Sequence, residues 1–217
     1  MGQLRIWGRS NSVNVQKVLW GCDELGLPFE RLDAGMQFGV VDSPEYRALN
    51  PNGRVPTLVD GDVVLWESNS ILRYLALREI ERTPDSEARL LYPTGAADRA
   101  RVERWMDWTL STMQPAERPL FWGLVRTPPA EQDWAAINAA AKATGAAWAV
   151  VDAHLAGGQG YLEGTDFTLA DIVLGSYVRR WFAMPVEGRP ELPALRLWHD
   201  RLAGRPAFQR HLGMPLS

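Results

Sequence analysis

Thiols, imidazoles and long apolar runs are scarce in this 217-residue chain. Its one cysteine, Cys22, excludes an internal disulfide and a Cys-x-x-Cys redox pair. The three histidines, His154, His199 and His211, are scattered and lack metal-ligand spacing. No apolar stretch reaches the roughly 20 residues needed to span a bilayer. The first residues lack the basic and apolar regions of a signal peptide. Net charge is −3, and basic residues are interspersed with acids, so no nucleic-acid footprint stands out. These absences predict a cytoplasmic protein with no metal, no nucleic-acid partner and no membrane partner.

What is present suits one or two compact domains: 46% of residues are hydrophobic and 23% charged. Ten tryptophans point to large apolar contact surfaces, in a ligand pocket or a subunit interface.

The most informative stretch is residues 50–70, Asn-Pro-Asn-Gly-Arg-Val-Pro-Thr-Leu-Val-Asp-Gly-Asp-Val-Val-Leu-Trp-Glu-Ser-Asn-Ser. A turn over 50–53 delivers Arg54 and Val55 to Pro56. Two short apolar runs, 57–59 and 63–66, flank Asp60-Gly61, a tight-hairpin signal. Glu67-Ser68 then precedes a helical pattern with Ile71, Leu72 and Leu75 on one face. A strand that begins at proline leaves the backbone before it open to an extended ligand. A serine at a helix start offers a hydroxyl and backbone N–H groups to a carboxylate, aided by the helix dipole. The plain reading of these residues is a hairpin and helix with Ser68 as N-cap; the functional one is a peptide ledge ending in a carboxylate socket.

The ordered set Asn-Pro-x-Gly-x-Val-Pro-x-Leu followed by Glu-Ser resembles the glutathione-binding half of glutathione transferases. The resemblance implies a cis bond before Pro56. It implies pairing of the Val55 backbone with the cysteinyl unit of glutathione, and Glu67 and Ser68 at the γ-glutamyl end. Gln37 and Arg54 are then candidates for the glycyl end.

Over the first eighty residues, strand and helix signals alternate in the order βαβαββα, with Leu4-Arg5-Ile6-Trp7 as the first strand. A helix begins near Val13 and is stopped by Gly26 and Pro28. Strands alternating with helices predict parallel pairing with an antiparallel edge, and the resemblance implies a thioredoxin-like domain. The loop Arg9-Ser10-Asn11-Ser12-Val13-Asn14 lies between first strand and first helix, where open α/β sheets favour ligands. A free thiol has a pKa of roughly 8.5. A hydroxyl donor at a helix N-terminus lowers it by hydrogen bonding to the thiolate. Ser12 has that chemistry, and it is also placed to be a plain N-cap. Its position is similar to the catalytic serine of plant-type and theta-type transferases. Asn14 is similar in position to an asparagine of bacterial disulfide-reducing members, and Ser10 and Asn11 are alternatives. Trp7 and Gly8 stand where tyrosine-type members carry their tyrosine. Cys22 falls on the apolar helix face and reads as a core thiol.

Residues 78–93 are charged and proline-punctuated, like an interdomain connection. Expected boundaries are 1–80 for the thioredoxin-like domain, 81–96 for the linker and 97–217 for an all-helical domain. In the helical half, Val102, Trp105, Met106, Thr109 and Met113 recur at helical spacing until Pro115 and Pro119 kink or end the helix. Ile137, Ala141, Thr144, Trp148, Val151 and Leu155 form a packing seam. Phe167-Thr168-Leu169-Ala170-Asp171-Ile172 is a capping box with its hydrophobic staple. Leu195, Trp198 and Leu202 mark a further helix, ended by Gly204 and Pro206.

The resemblance thus implies an α/β thioredoxin-like domain joined to an all-α domain. In that reading a glutathione S-transferase, assembled as a homodimer, uses glutathione as co-substrate. Its thiolate attacks a small hydrophobic electrophile in a pocket drawing on Met113, Phe121 and Trp122, with Met36 and Phe38 from the first domain. A glutathione-dependent disulfide reductase or peroxidase, and a non-catalytic binding or dimerisation module, are the alternatives. Isomerase or dehalogenase chemistry would use the same thiolate.

Overall fold

The computed structural model describes residues 3–217, which group into two compact units, one ending at Tyr92 and the other spanning Pro93–Ser217. The first unit runs β1 (Leu4–Trp7), α1 (Val13–Glu24), β2 (Phe29–Leu32), α2 (Pro44–Leu49), β3 (Thr57–Asp60), β4 (Val63–Trp66), α3 (Ser68–Arg82) and the single-turn α4 (Ala88–Leu91). The sheet order is β2-β1-β3-β4. β1 pairs parallel with β2 and antiparallel with β3, and β4 closes an antiparallel hairpin on β3. The expected strand–helix order and mixed pairing are therefore present.

The hairpin turn differs by one residue from its sequence signal. Asp60 pairs with Val63, so the two turn residues are Gly61 and Asp62. Gly61 has φ +59 while Asp62 does not reach positive φ, the pattern of a type II′ turn. Ile6, Val15, Val18, Leu58, Ile71 and Leu75 form the core between sheet and helices. α1 and α3 pack together, and Cys22 is buried in that core, as its position on the apolar face predicts.

The second unit contains α5 (Ala96–Trp108), α6 (Gln114–Phe121), α7 (Trp134–Ala156), α8 (Leu169–Ala183), α9 (Pro193–Ala203) and α10 (Pro206–Leu212). α5 packs on α8, α6 on α7, and α7 on α9. Of the two expected outcomes at Pro115 and Pro119, a kink or an end, the helix does not end. Helical backbone continues from α5 through a π-helical segment Thr109–Met113, through α6, and into a second π-helical segment Trp122–Arg126. Pro115 falls at the first turn of α6, directly after the π bond from Gln114 N–H to the Thr109 carbonyl. The capping box forms at α8: Asp171 accepts from the Thr168 N–H at 2.9 Å and from its hydroxyl at 3.0 Å. No helix among the described residues is long and apolar enough to cross a membrane.

Candidate functional site

Sheet register gathers the candidate residues of the first unit at one end. Trp7, the last residue of β1, pairs with Leu32, the last of β2, and with Thr57, the first of β3. Thr57 in turn pairs with Trp66, the last of β4. The segments after β1, after β2, before β3 and after β4 therefore leave the sheet side by side. They carry Ser12 and Asn14, Gln37, Arg54 and Val55, and Glu67 and Ser68, in that order. Four strands at about 4.8 Å spacing span roughly 14 Å. That is the length of about four extended residues.

The ledge at Val55 is held from behind. The Val55–Pro56 bond is cis, as the family resemblance implies. Tyr46 of α2 donates its hydroxyl to the Arg54 carbonyl at 2.6 Å, and Asn50 donates its side-chain amide to the same carbonyl at 2.9 Å. Both side chains also reach the Thr57 hydroxyl, at 2.8 and 3.1 Å. Burial pushes the Tyr46 phenol above its ordinary pKa, with the Thr57 and Asn50 bonds opposing it, so it stays a neutral donor. Gly53, at φ +59, closes the turn where any side chain would collide with the Arg47 guanidinium. Val55 itself makes no hydrogen bond through its N–H or carbonyl among the described residues. An extended ligand can use both groups. Sequence reasoning missed Tyr46 and Asn50; their signal is only that Asn50 opens the Asn-Pro-Asn-Gly turn.

Ser12 is the N-cap residue of α1, 7% exposed, and its hydroxyl does not cap the helix. Nor does that hydroxyl bond any other described residue. It sits beside the unpaired N–H groups of the first turn, where the helix dipole favours negative charge. Ser68 is buried at the start of α3 and donates to Asn14 Oδ1 at 3.4 Å. One turn along α1 from Asn14, the fully buried Lys17 donates to Asn69 at 3.2 Å. Lys17 thereby ties α1 to the start of α3. A lysine on an otherwise apolar face carries no sequence signal for that role.

Glu67 precedes α3 with φ +70, is exposed, and makes no capping bond. Its carboxylate stays available to an ammonium group. Gln37 lies exposed in a 3₁₀ turn, Met36–Phe38, between Gly35 and Gly39. Arg54 is exposed with its carbonyl already occupied. Met36 and Phe38 are exposed at 50% and 41%.

The expected electrophile-pocket residues separate in the helical unit. Met113 and Phe121 are buried, and the Arg180 guanidinium lies 3.8 Å from the Phe121 ring centroid. Trp122 is 48% exposed.

Comparison with known proteins identifies the family of both units. Residues 11–78 match the family model described as Glutathione S-transferase, N-terminal domain, and residues 135–201 match Glutathione S-transferase, C-terminal domain. Over 216 residues the chain is 40% identical to glutathione S-transferase GstB of Escherichia coli K12, covering 99% of this chain and 100% of that protein. It is 35% identical to glutathione S-transferase 3 of Zea mays, covering 97% and 93% of the two chains. Among solved structures, it matches the theta class glutathione S-transferase from the citrus canker pathogen Xanthomonas axonopodis pv. citri with glutathione bound. That match has a TM-score of 0.91 at 50% identity and covers 100% of both chains.

Proposed function

The chain belongs to the glutathione S-transferase family, and from that premise we propose that it binds glutathione along the sheet end described above and activates its thiol as a thiolate. The full-length Xanthomonas relative holding glutathione supports the ligand. In this reading the cysteinyl unit pairs with the open backbone of Val55. Glu67 takes the α-amino group in a charge-assisted bond. The γ-glutamyl carboxylate meets Ser68 and the first N–H groups of α3. Gln37 and Arg54 serve the glycyl end. Asn14, as the partner of the Ser68 hydroxyl, positions it at the glutamyl end.

One observation carries the catalytic assignment: the Ser12 hydroxyl is nearly buried at a helix N-terminus and does not cap that helix. It is therefore free to donate to sulfur. The thiolate then attacks an electrophilic carbon, the leaving group departs with the bonding pair, and the thiol proton goes to solvent. Trp122, the exposed member of the expected pocket set, is the side chain we assign to an apolar electrophile. The lone cysteine, buried and reduced, fits a cytoplasmic setting.

Steady-state kinetics with an aromatic halide test the assignment through two variants. A hydrogen bond to a charged group contributes about 1.5–3 kcal/mol. Ser12→Ala is thus expected to lower kcat by about 10- to 150-fold with a small change in the glutathione KM. Glu67→Gln is expected to do the reverse, raising KM about tenfold with kcat nearly kept. Equal loss of kcat and affinity in Ser12→Ala would reduce Ser12 to a structural cap.

A further inference from the structure

Three arginines of the helical unit gather around one carboxylate. Arg180 of α8 donates from Nη1 to both oxygens of the buried Glu117 of α6, at 3.3 and 3.4 Å. Its guanidinium also lies over the Phe121 ring, 3.8 Å from the centroid. Arg126, the last residue of the π-helical segment Trp122–Arg126, reaches the same ring at 5.7 Å. Both distances fall within the roughly 6 Å of a cation–π contact. Arg179 precedes Arg180 on α8 and is 8% exposed.

The charges of this cluster do not balance. Glu117 neutralises at most one of the three guanidinium groups. The side chains of Arg126 and Arg179 form no hydrogen bond or ion pair with any described residue. Burial, and then repulsion from Arg180, lower the pKa of both, that of Arg179 to about 10, and no carboxylate opposes them. Arg179 thus stays a cation at neutral pH. Arginine is almost never buried without a partner, because an unpaired charge is costly to desolvate. The ion pair that ties α6 to α8 is already made by Arg180, so helix packing does not account for the other two cations. Their nitrogens are not sealed off: none is among the fully enclosed, unpaired side-chain atoms of the described residues. An anion from outside can therefore reach them.

We propose that Arg126, Arg179 and Arg180 form a carboxylate-binding wall for the electrophile, and that the preferred electrophiles are aromatic halides that carry a carboxylate. The inference rests on the transferase reading, in which Trp122 meets the electrophile's apolar part, and narrows it. Trp122 and Arg126 are the first and last residues of one π-helical segment, so they lie on neighbouring positions of one helix face. The ring of the electrophile meets the indole while its carboxylate accepts from the guanidinium groups in charge-assisted, fork-like pairs. In the reaction the thiolate sulfur bonds to the halogen-bearing carbon, and the halide leaves with the bonding pair. The thiol proton goes to solvent, and the carboxylate is unchanged.

Steady-state kinetics on the full chain test this with 4-chloro-3,5-dinitrobenzoate and its neutral carboxamide. Dividing each kcat/KM by the rate constant of the uncatalysed reaction with glutathione thiolate removes the difference in intrinsic reactivity. So corrected, the native chain is expected to favour the carboxylate at least tenfold. Arg179→Gln and Arg126→Gln are each expected to cut that preference at least threefold, with the loss in the KM of the acid rather than in kcat. Turnover of the carboxamide shows that each variant is folded, and the half-buried Arg126 carries the test if Arg179→Gln fails to fold. Equal corrected rates for acid and amide in the native chain, or an undiminished preference in Arg126→Gln, would overturn the inference and leave the transferase reading standing. No turnover of either halide would overturn both.

Discussion

Ser12 and Cys22 lie on the same helix, and their surroundings give them opposite chemistry. Ser12 keeps an uncommitted hydroxyl beside open N–H groups. Cys22 is fully buried, and desolvation, reinforced by Asp23 and only partly opposed by Arg78, pushes its thiol well above the ordinary value. Cys22 should therefore stay a neutral thiol across the physiological range. An aromatic disulfide reagent at pH 8 is expected to react with it at under a hundredth of the rate of a free thiol, and fully once the protein is unfolded. Rapid reaction of the native chain would show an accessible thiolate. Both residues were legible in the sequence, Ser12 from its place before a helical pattern and Cys22 from its place on the apolar face. Lys17 was not, because only the fold brings it to Asn69, 52 positions along the chain. Tyr46 was equally silent: nothing in its local pattern reports that its hydroxyl will fix the Arg54 carbonyl.

At the level of elements, α8 depends on its first turn. The fully buried Asp171 accepts four hydrogen bonds: from Leu162 N–H at 3.0 Å, Thr168 N–H at 2.9 Å, the Thr168 hydroxyl at 3.0 Å and the Trp198 indole at 2.8 Å. It ties the start of α8 to the preceding loop and to α9. Thr168→Ala removes one donor and is expected to cost about 1–2 kcal/mol in urea unfolding. Asp171→Ala orphans three remaining buried donors besides and is expected to cost about 3 kcal/mol or more. Equal costs would mean that the box acts only as a local cap. The box was readable because capping chemistry is local, with both partners three residues apart. The long helix through Pro115 and Pro119 was not readable. Each proline removes one N–H from the ladder, yet helical backbone runs on through both, with π-helical segments before and after α6.

For the whole molecule, the two-part organisation was visible as the loss of strand patterns in the second half. α4, within a stretch that reads as linker, was not, since four residues carry too little periodicity. The sheet edge has a consequence for assembly. β4 is an edge strand, and Val63, Val64 and Trp66 on it are each more than a third exposed. Such a row is costly to leave in water. It supports a homodimer, expected to sediment at twice the chain mass and to fall to the monomer in Val64→Glu. A native chain that sediments as a monomer at micromolar concentration would contradict this.

The proposed catalysis depends on ionised sulfur beside Ser12, and thiolate absorbance reads it directly. Glutathione bound to the intact protein should titrate about one to two units below the roughly 8.5 of a free cysteine thiol, because the Ser12 bond favours the charged form. In Ser12→Ala, still saturated with glutathione, the titration should return toward the free value. The same midpoint in both proteins would contradict the account.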